Sequence, residues 1–374
     1  MRVRLLVFIS IVQSILWLGH WFLYLTLARF FGPPASSWAV KATLAFLSMS
    51  FVVASLLAWY SHHPLVRMLY AVSAAWLGFA SYFLWASLLS WIAYGVARLL
   101  GIGWEPRTIA SFFFATAVLA GLYGIMNAAW LRVTRVAVAL PNLPDHWRGR
   151  VAALVSDTHL GHVRNGRFIR RVVARLAELK PDIVFLAGDL YDGTSGNFEK
   201  LAEPWKALTA THSPPVVPHG VYYIAGNHEE FYSDAEFLGP LLSSGVRALD
   251  NEKVDVDGLQ VVGVHYRDAV HPVRYRDLLR SHRIDRDRAS VLLLHAPVHL
   301  EIAEAEGISL QLSGHTHGGQ FFPWTLIAGS VWGKFLQGLQ RLGELRVYIS
   351  YGAGTWGPPM RVGTTPEIVL IKFE

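Results

Sequence analysis

Four long apolar runs confine the front of this chain to one kind of structure. They extend roughly over Leu5 to Leu27, Ala42 to Trp59, Met68 to Ala97 and Ile109 to Leu131. A hydrocarbon core of ~30 Å takes about 20 apolar residues in a helix, and backbone in lipid must satisfy its own hydrogen bonds, so each run reads as a helical span. Glu105 is the lone acid among residues 1–131. The first run follows Arg2 and Arg4 as a secretion signal would, but it is longer than such an apolar segment and three more runs succeed it, so retention is expected. Tyr24, Trp38, Trp59, Tyr60, Tyr94 and Trp130 fall near the run ends, where an interfacial aromatic belt would put them. His20 is the only histidine or base within a run, and it reads as a packed side chain rather than a proton relay.

Four spans bring both ends to one side. Arg2, Arg4, Arg67, Arg132, Arg135, Arg148 and Arg150 then oppose Arg29, Lys41, Arg98 and Arg107, and the excess of bases places the following domain on the cytoplasmic face. The first 150 residues account for the net charge of +6, mostly as bases between apolar runs, which suits topology signals and not a nucleic-acid footprint. There is no cysteine, so disulfides and thiolate ligands are excluded. The expected organisation is a transmembrane region over 1–131, a basic linker over 132–150 and an α/β domain over 151–374.

Within that domain, short apolar strands keep ending in residues that bind metals or move protons. Val151 to Ser156 runs into Asp157-Thr158-His159. Gly166 to Lys180 has the spacing of one apolar helical face and stops at Pro181. Ile183 to Ala187 follows and ends in Gly188-Asp189. Strand, helix and strand in this order make a right-handed unit whose two loops share the carboxyl edge of a parallel pair, so Asp157 and Asp189 are expected to be neighbours. Val221 to Ala225 leads to Gly226-Asn227-His228-Glu229, Val291 to Leu294 leads to His295, and Ile308 to Gln311 leads to Gly314-His315-Thr316-His317-Gly318-Gly319-Gln320. Residues two apart on an extended chain point the same way, which lets His315 and His317 reach adjacent ions. Leu259 to Val264 also ends in a histidine, His265, which is read as structural, and Asp192 is read as a turn residue before Gly193.

Taken together, Asp-x-His, Gly-Asp, Gly-Asn-His-Glu, a lone strand-end His and Gly-His-x-His resemble the calcineurin-like metallophosphoesterase superfamily over about Val151 to Glu374. The tail Gly352-Ala353-Gly354-Thr355-Trp356-Gly357-Pro358-Pro359-Met360-Arg361 looks like its bacterial membrane-associated, phosphodiesterase-like branch. The resemblance implies a layered α/β/β/α sandwich. It further implies one divalent ion held by Asp157, His159 and His317, a second by Asn227, His295 and His315, and Asp189 bridging the two, with Mn, Fe or Zn as the cations. His228 would then contact the phosphate or protonate the leaving oxygen, and His162 and Arg164 are candidates for binding the substrate phosphate.

The implied function is metal-dependent hydrolysis of a phosphomonoester, phosphodiester or pyrophosphate at a lipid bilayer. A UDP-2,3-diacylglucosamine-type lipid pyrophosphatase and a non-catalytic membrane sensor or scaffold are the rival readings. Phe321 to Leu342, apolar and aromatic, is either a covering loop or a flap that admits a lipid-linked phosphate.

Overall fold

The computed structural model describes residues 2–209 and 215–374, and the chain divides into two units, Met1–Met126 with Gly357–Met360, and Asn127–Trp356 with Arg361–Glu374. The first unit holds α1 (Arg2–Phe31), α2 (Trp38–Tyr60), α3 (Pro64–Leu99) and α4 (Pro106–Ala129). All four are long and apolar enough to cross a membrane. Prolines open α3 and α4, where a missing N–H costs no helical bond, and the Ser37 side chain caps α2 by accepting from Val40 N. Phe8, Trp17, Leu18, Phe46 and Leu119 stand outward, each more than half exposed, while Ser48, Ala54, Ala58, Ala74, Ser87 and Ser90 are buried. Small residues between helices and large apolar ones outside is the distribution a lipid environment favours. His20 donates from Nδ1 to the Leu16 carbonyl at 2.7 Å and accepts at Nε2 from the Trp76 indole at 2.9 Å, so both its nitrogens are used in packing.

The second unit opens with β1 (Arg132–Val138), β2 (Val151–Val155), α5 (Gly166–Leu179), β3 (Ile183–Ala187), α6 (Phe198–Ala202), α7 (Lys206–Thr209) and β4 (Val221–Ile224). It continues through α8 (Asp234–Ser243), β5 (Arg247–Ala248), β6 (Glu252–Val256), β7 (Leu259–Gly263), α9 (Tyr266–Ala269) and α10 (Pro272–Ser281). The remaining elements are β8 (Ser290–Leu293), α11 (Leu300–Ala305), β9 (Leu310–Ser313), α12 (Trp324–Trp332), β10 (Gly338–Leu342), β11 (Leu345–Ile349) and β12 (Glu367–Phe373).

Two sheets result, ordered β1-β12-β2-β3-β4-β5 and β10-β11-β9-β8-β7-β6. Alternate residues of each strand serve opposite faces. Ala152, Leu154, Phe185, Leu293 and Leu312 meet in the core between the sheets, whereas Ala153, Val155, Val184 and Leu186 turn the other way under Ile169, Val172 and Leu176 of α5. Leu292, Leu294 and Val347 do the same for the second sheet, under Tyr275 and Leu279 of α10. The result is the α/β/β/α sandwich expected. α5 begins where the Asn165 side chain accepts from Arg167 N and ends at Lys180, which takes a left-handed φ of 49° before Pro181.

Residues 132–150, expected as a basic linker, contain a strand. β1 pairs in parallel with β12, from Arg132↔Glu367 to Val138↔Phe373, and forms the edge of the first sheet. Bases are tolerated on an edge strand because their side chains reach water, and Arg132 and Arg135 keep this one from reading as apolar. Further on, Trp147 is fully buried and its indole donates to the Asp257 carbonyl at 3.0 Å.

Candidate metal centre

The site is assembled where parallel strands stop. β2 and β3 pair with Val155 opposite Leu186, and beyond them Asp157 N donates to the Gly188 carbonyl at 3.0 Å and His159 N to that of Asp189 at 3.1 Å. The two loops therefore run side by side, as the strand-helix-strand order predicts. Asp157, His159, Asp189, His315 and His317 all adopt positive φ, between 46° and 72°. Such left-handed conformations cost about 1–3 kcal/mol each in non-glycine residues and persist at sites where the surroundings dictate them. His315 and His317 thus leave β9 on a tight left-handed loop and not on an extended chain; they still reach neighbouring positions. Gly226 packs directly on Asp189, where any Cβ would overlap the carboxylate.

Among the described residues, three groups of potential ligand atoms form, each with its atoms within 4.8 Å of one another: Asp157, His159 and His317; His159, Asp189 and His228; and Asp189, His295 and His315. His317 Nε2 lies 3.0 Å from His159 Nε2 and 3.4 Å from Asp157 Oδ1. His295 Nε2 lies 3.1 Å from Asp189 Oδ2, and His315 Nδ1 is 2.9 Å from Asn227 Oδ1 and 3.3 Å from His295 Nε2. All seven side chains expected as ligands therefore converge. His228 stands beside them: its backbone N–H donates to Asp189 Oδ1 at 2.9 Å and its Nδ1 donates to the Asp192 carbonyl at 3.1 Å, which leaves Nε2 toward the site.

Burial dominates the electrostatics. It holds His159, His228 and His317 below the ordinary imidazole value and His315 down to about 3, so these rings are neutral, with a lone pair to give. Burial likewise pushes the Asp157 carboxyl up, whereas for Asp189 the neighbouring His295, His228 and His159 outweigh it and hold the carboxyl below its usual range. His295 is the exception among the rings: burial opposes its charge, but Asp189 and Asp157 win and push it up to about 10. A positive charge is therefore favoured between His295 and Asp189, where a cation can replace the proton. His295 Nδ1 donates to the Ala187 carbonyl at 2.7 Å, which fixes the ring and frees Nε2. Neutral imidazoles, carboxylates and an amide oxygen, without sulfur, suit divalent cations of borderline hardness, and the donor set fits them.

Three further residues serve the site without having been identified as part of it from sequence. Glu229 is buried, and its carboxylate accepts from the backbone N–H of Gly226 at 2.7 Å, Asp189 at 2.9 Å and Tyr191 at 3.0 Å. Burial raises its carboxyl to about 7. Asp192, read as a turn residue, turns its Oδ1 to within 3.4 Å of His159 Nδ1. The guanidinium of fully buried Arg361 donates to the carbonyls of His317 at 3.1 Å, Tyr351 at 2.6 Å and Gly354 at 2.7 Å, tying the histidine loop to the tail. Their acidic or basic type within the motif blocks was the available signal. Of the two expected phosphate contacts, His162 has its Nδ1 3.0 Å from Thr194 Oγ1, and Arg164 donates to the Ala128 carbonyl at 2.8 Å with its guanidinium over the Phe168 ring. His265 caps α9 by accepting from Arg267 N, a structural role.

Comparison with known proteins gives a consistent result. The profile of the calcineurin-like phosphoesterase family matches residues 151–319. A transmembrane protein with a metallophosphoesterase domain from Danio rerio is 34% identical over 280 residues, 69% of this chain and 61% of that protein. An uncharacterised metallophosphoesterase of Campylobacter jejuni is 30% identical over 65% of this chain and 63% of its own length, so the chain spans about three fifths of these two relatives. Another, from Aquifex aeolicus, is 30% identical over 265 residues, 69% of this chain and 97% of the relative. With a match that takes in nearly all of that relative, the chain belongs to the calcineurin-like phosphoesterase family.

Proposed function

We propose that this membrane protein hydrolyses a phosphoester with two divalent cations, the first held by Asp157, His159 and His317, the second by Asn227, His295 and His315, and Asp189 shared. The observation that carries the reading is the convergence of these seven buried or half-buried side chains from five separate strand exits, with Asp189 common to two of the donor groups. Divalent cations supply Lewis-acid stabilisation of charge on the phosphoryl oxygens and lower the pKa of water. Mn, Fe and Zn all suit the donors.

The protein's own groups do the rest. Glu229 and Gly226 hold the Asp189 loop in place, and the Asp192 carbonyl fixes the His228 tautomer. Burial keeps His228 neutral on its own; the negative charge of a phosphoester beside Nε2 favours the imidazolium, which then donates to a phosphate oxygen or to the leaving oxygen. Monoester, diester and pyrophosphate all meet these requirements. The distribution of bases around the four helices supports a cytoplasmic catalytic face.

Metal analysis of the purified full chain, combined with a panel of the three ester types, tests the reading. Asp189→Asn is expected to lose bound metal and activity together, and His228→Ala to keep its metal but lose about 10²–10⁴-fold in rate. Full activity in Asp189→Asn, or no hydrolysis by the wild type with saturating Mn²⁺, would sink it; the second result would favour a sensor or scaffold.

A further inference from the structure

α12 is built inside out. Successive helical residues are 100° apart, so Trp324, Leu326, Ile327, Ser330 and Val331 share an arc of about 160°. All five are exposed, with Leu326 at 64% and Val331 at 70%, and Phe322 just ahead of the helix is 50% exposed. The opposite arc carries Thr325, Ala328, Gly329 and Trp332. An amphipathic helix on a water-soluble domain does the reverse, as α5 does by burying Phe168, Ile169, Val172, Val173 and Leu176. None of the α12 side chains is fully buried.

The opposite arc of α12 packs beside the metal centre, so the exposed arc is the outer side of the element that borders the site. The Trp332 ring centroid is 5.8 Å from that of His315, and Thr316 Oγ1 donates to the Leu336 carbonyl just beyond the helix at 2.7 Å. Gly319 permits the close approach: a Cβ there would come within 2.6 Å of Thr325 Cα and 2.7 Å of the Trp324 carbonyl oxygen, both backbone atoms that cannot swing aside. Beside the site, the Trp356 ring, 56% exposed, lies 5.8 Å from that of His228. From His315 to Gly343 there is no acid, and Lys334 supplies positive charge, whereas Arg341 is paired with Glu344 at 2.7 Å.

We propose that α12 inserts into the surface of a bilayer and that the site takes a phosphoester carried on a lipid. The phosphoester part rests on the function proposed above. Large apolar side chains outward, tryptophan near the rim, no acid on the helix and a lysine just past its end describe an interfacial helix on an anionic leaflet better than a protein-docking face. The candidate spans keep this chain at such a surface. A lipid headgroup reaching past the edge of α12 would then arrive beside His315, with its acyl chains still among lipid.

The chain lacks cysteine, so single labels are unambiguous. In the full chain reconstituted in phosphatidylcholine vesicles doped with phosphatidylglycerol, a fluorophore on Val331→Cys is expected to be quenched by nitroxide lipids, and one on Glu178→Cys, exposed on α5, is not. Absence of quenching at 331 overturns the proposal, as it would if that face bound protein instead. Phosphomonoester, phosphodiester and pyrophosphate lipids are then assayed in long-chain and short-chain forms. In the Ile327→Ser/Val331→Ser double variant the long-chain to short-chain rate ratio is expected to fall about a hundredfold, since each large apolar side chain withdrawn from lipid forfeits about tenfold in partitioning. An equal loss on both forms, or wild-type hydrolysis of short-chain forms alone, overturns the proposal and leaves the phosphoester reading intact. Quenching at 331 without hydrolysis of any ester sinks the phosphoester reading and the substrate half of this one.

Discussion

Glu229 contributes no atom to the candidate ligand set, yet three loop N–H groups end on its carboxylate. In Glu229→Gln one acceptor oxygen becomes an NH₂ facing a backbone donor, and a buried donor left without a partner costs about 1–3 kcal/mol. Thermal unfolding of this variant is expected at lower temperature, together with weaker metal binding; an unchanged melting point would show that the loops hold themselves. Asp192→Asn is expected to act differently. It removes the negative charge 3.4 Å from His159 Nδ1 and keeps the backbone carbonyl that orients His228. A carboxylate behind a metal-binding histidine is worth about 10–100-fold in affinity, so Mn²⁺ titration should show a loss of that order. Residues such as Asp157, His295 and His317 were legible in the sequence because each follows an apolar strand. Asp192 and Glu229 were not, since their value lies in which neighbour they face, and a linear pattern does not show that. Nor does the sequence show that Arg164, beside the first ligand pair, donates to the Ala128 carbonyl.

Among elements, the strands and helices with a buried face were readable from periodicity: β2, α5, β3, β4 and β7 fall within a residue or so of expectation, and β9 begins two residues late. β1 was not, because an edge strand with arginines has no apolar signature; only its pairing with β12 reveals it. The domain boundary follows from this. A soluble fragment beginning at Val151 would lack β1 and leave the outer edge of β12 open, and open edges associate. Fragments beginning at Arg132 are expected to run as monomers on size exclusion and those beginning at Val151 to aggregate. Equal behaviour of the two would mean that β1 adds nothing to the fold.

At the scale of the molecule, stability and cation binding are expected to be linked. Two buried carboxylates and a cluster of imidazoles are costly together without positive charge, and a ligand bound only by the folded state stabilises it by about 2.7 kcal/mol at a hundred times its dissociation constant. Chelator should lower the melting temperature of the wild type and Mn²⁺ restore it, with Asp189→Asn indifferent to both. A wild type equally indifferent would argue against a cation in the centre. The order of the first sheet carries one more consequence. β12 lies between β1 and β2, so those two early strands have no common neighbour until 367–373 arrive. During synthesis on the ribosome, the helices can settle into the membrane while the sandwich waits half-stitched, its early strands unpaired until a distant segment sews them together.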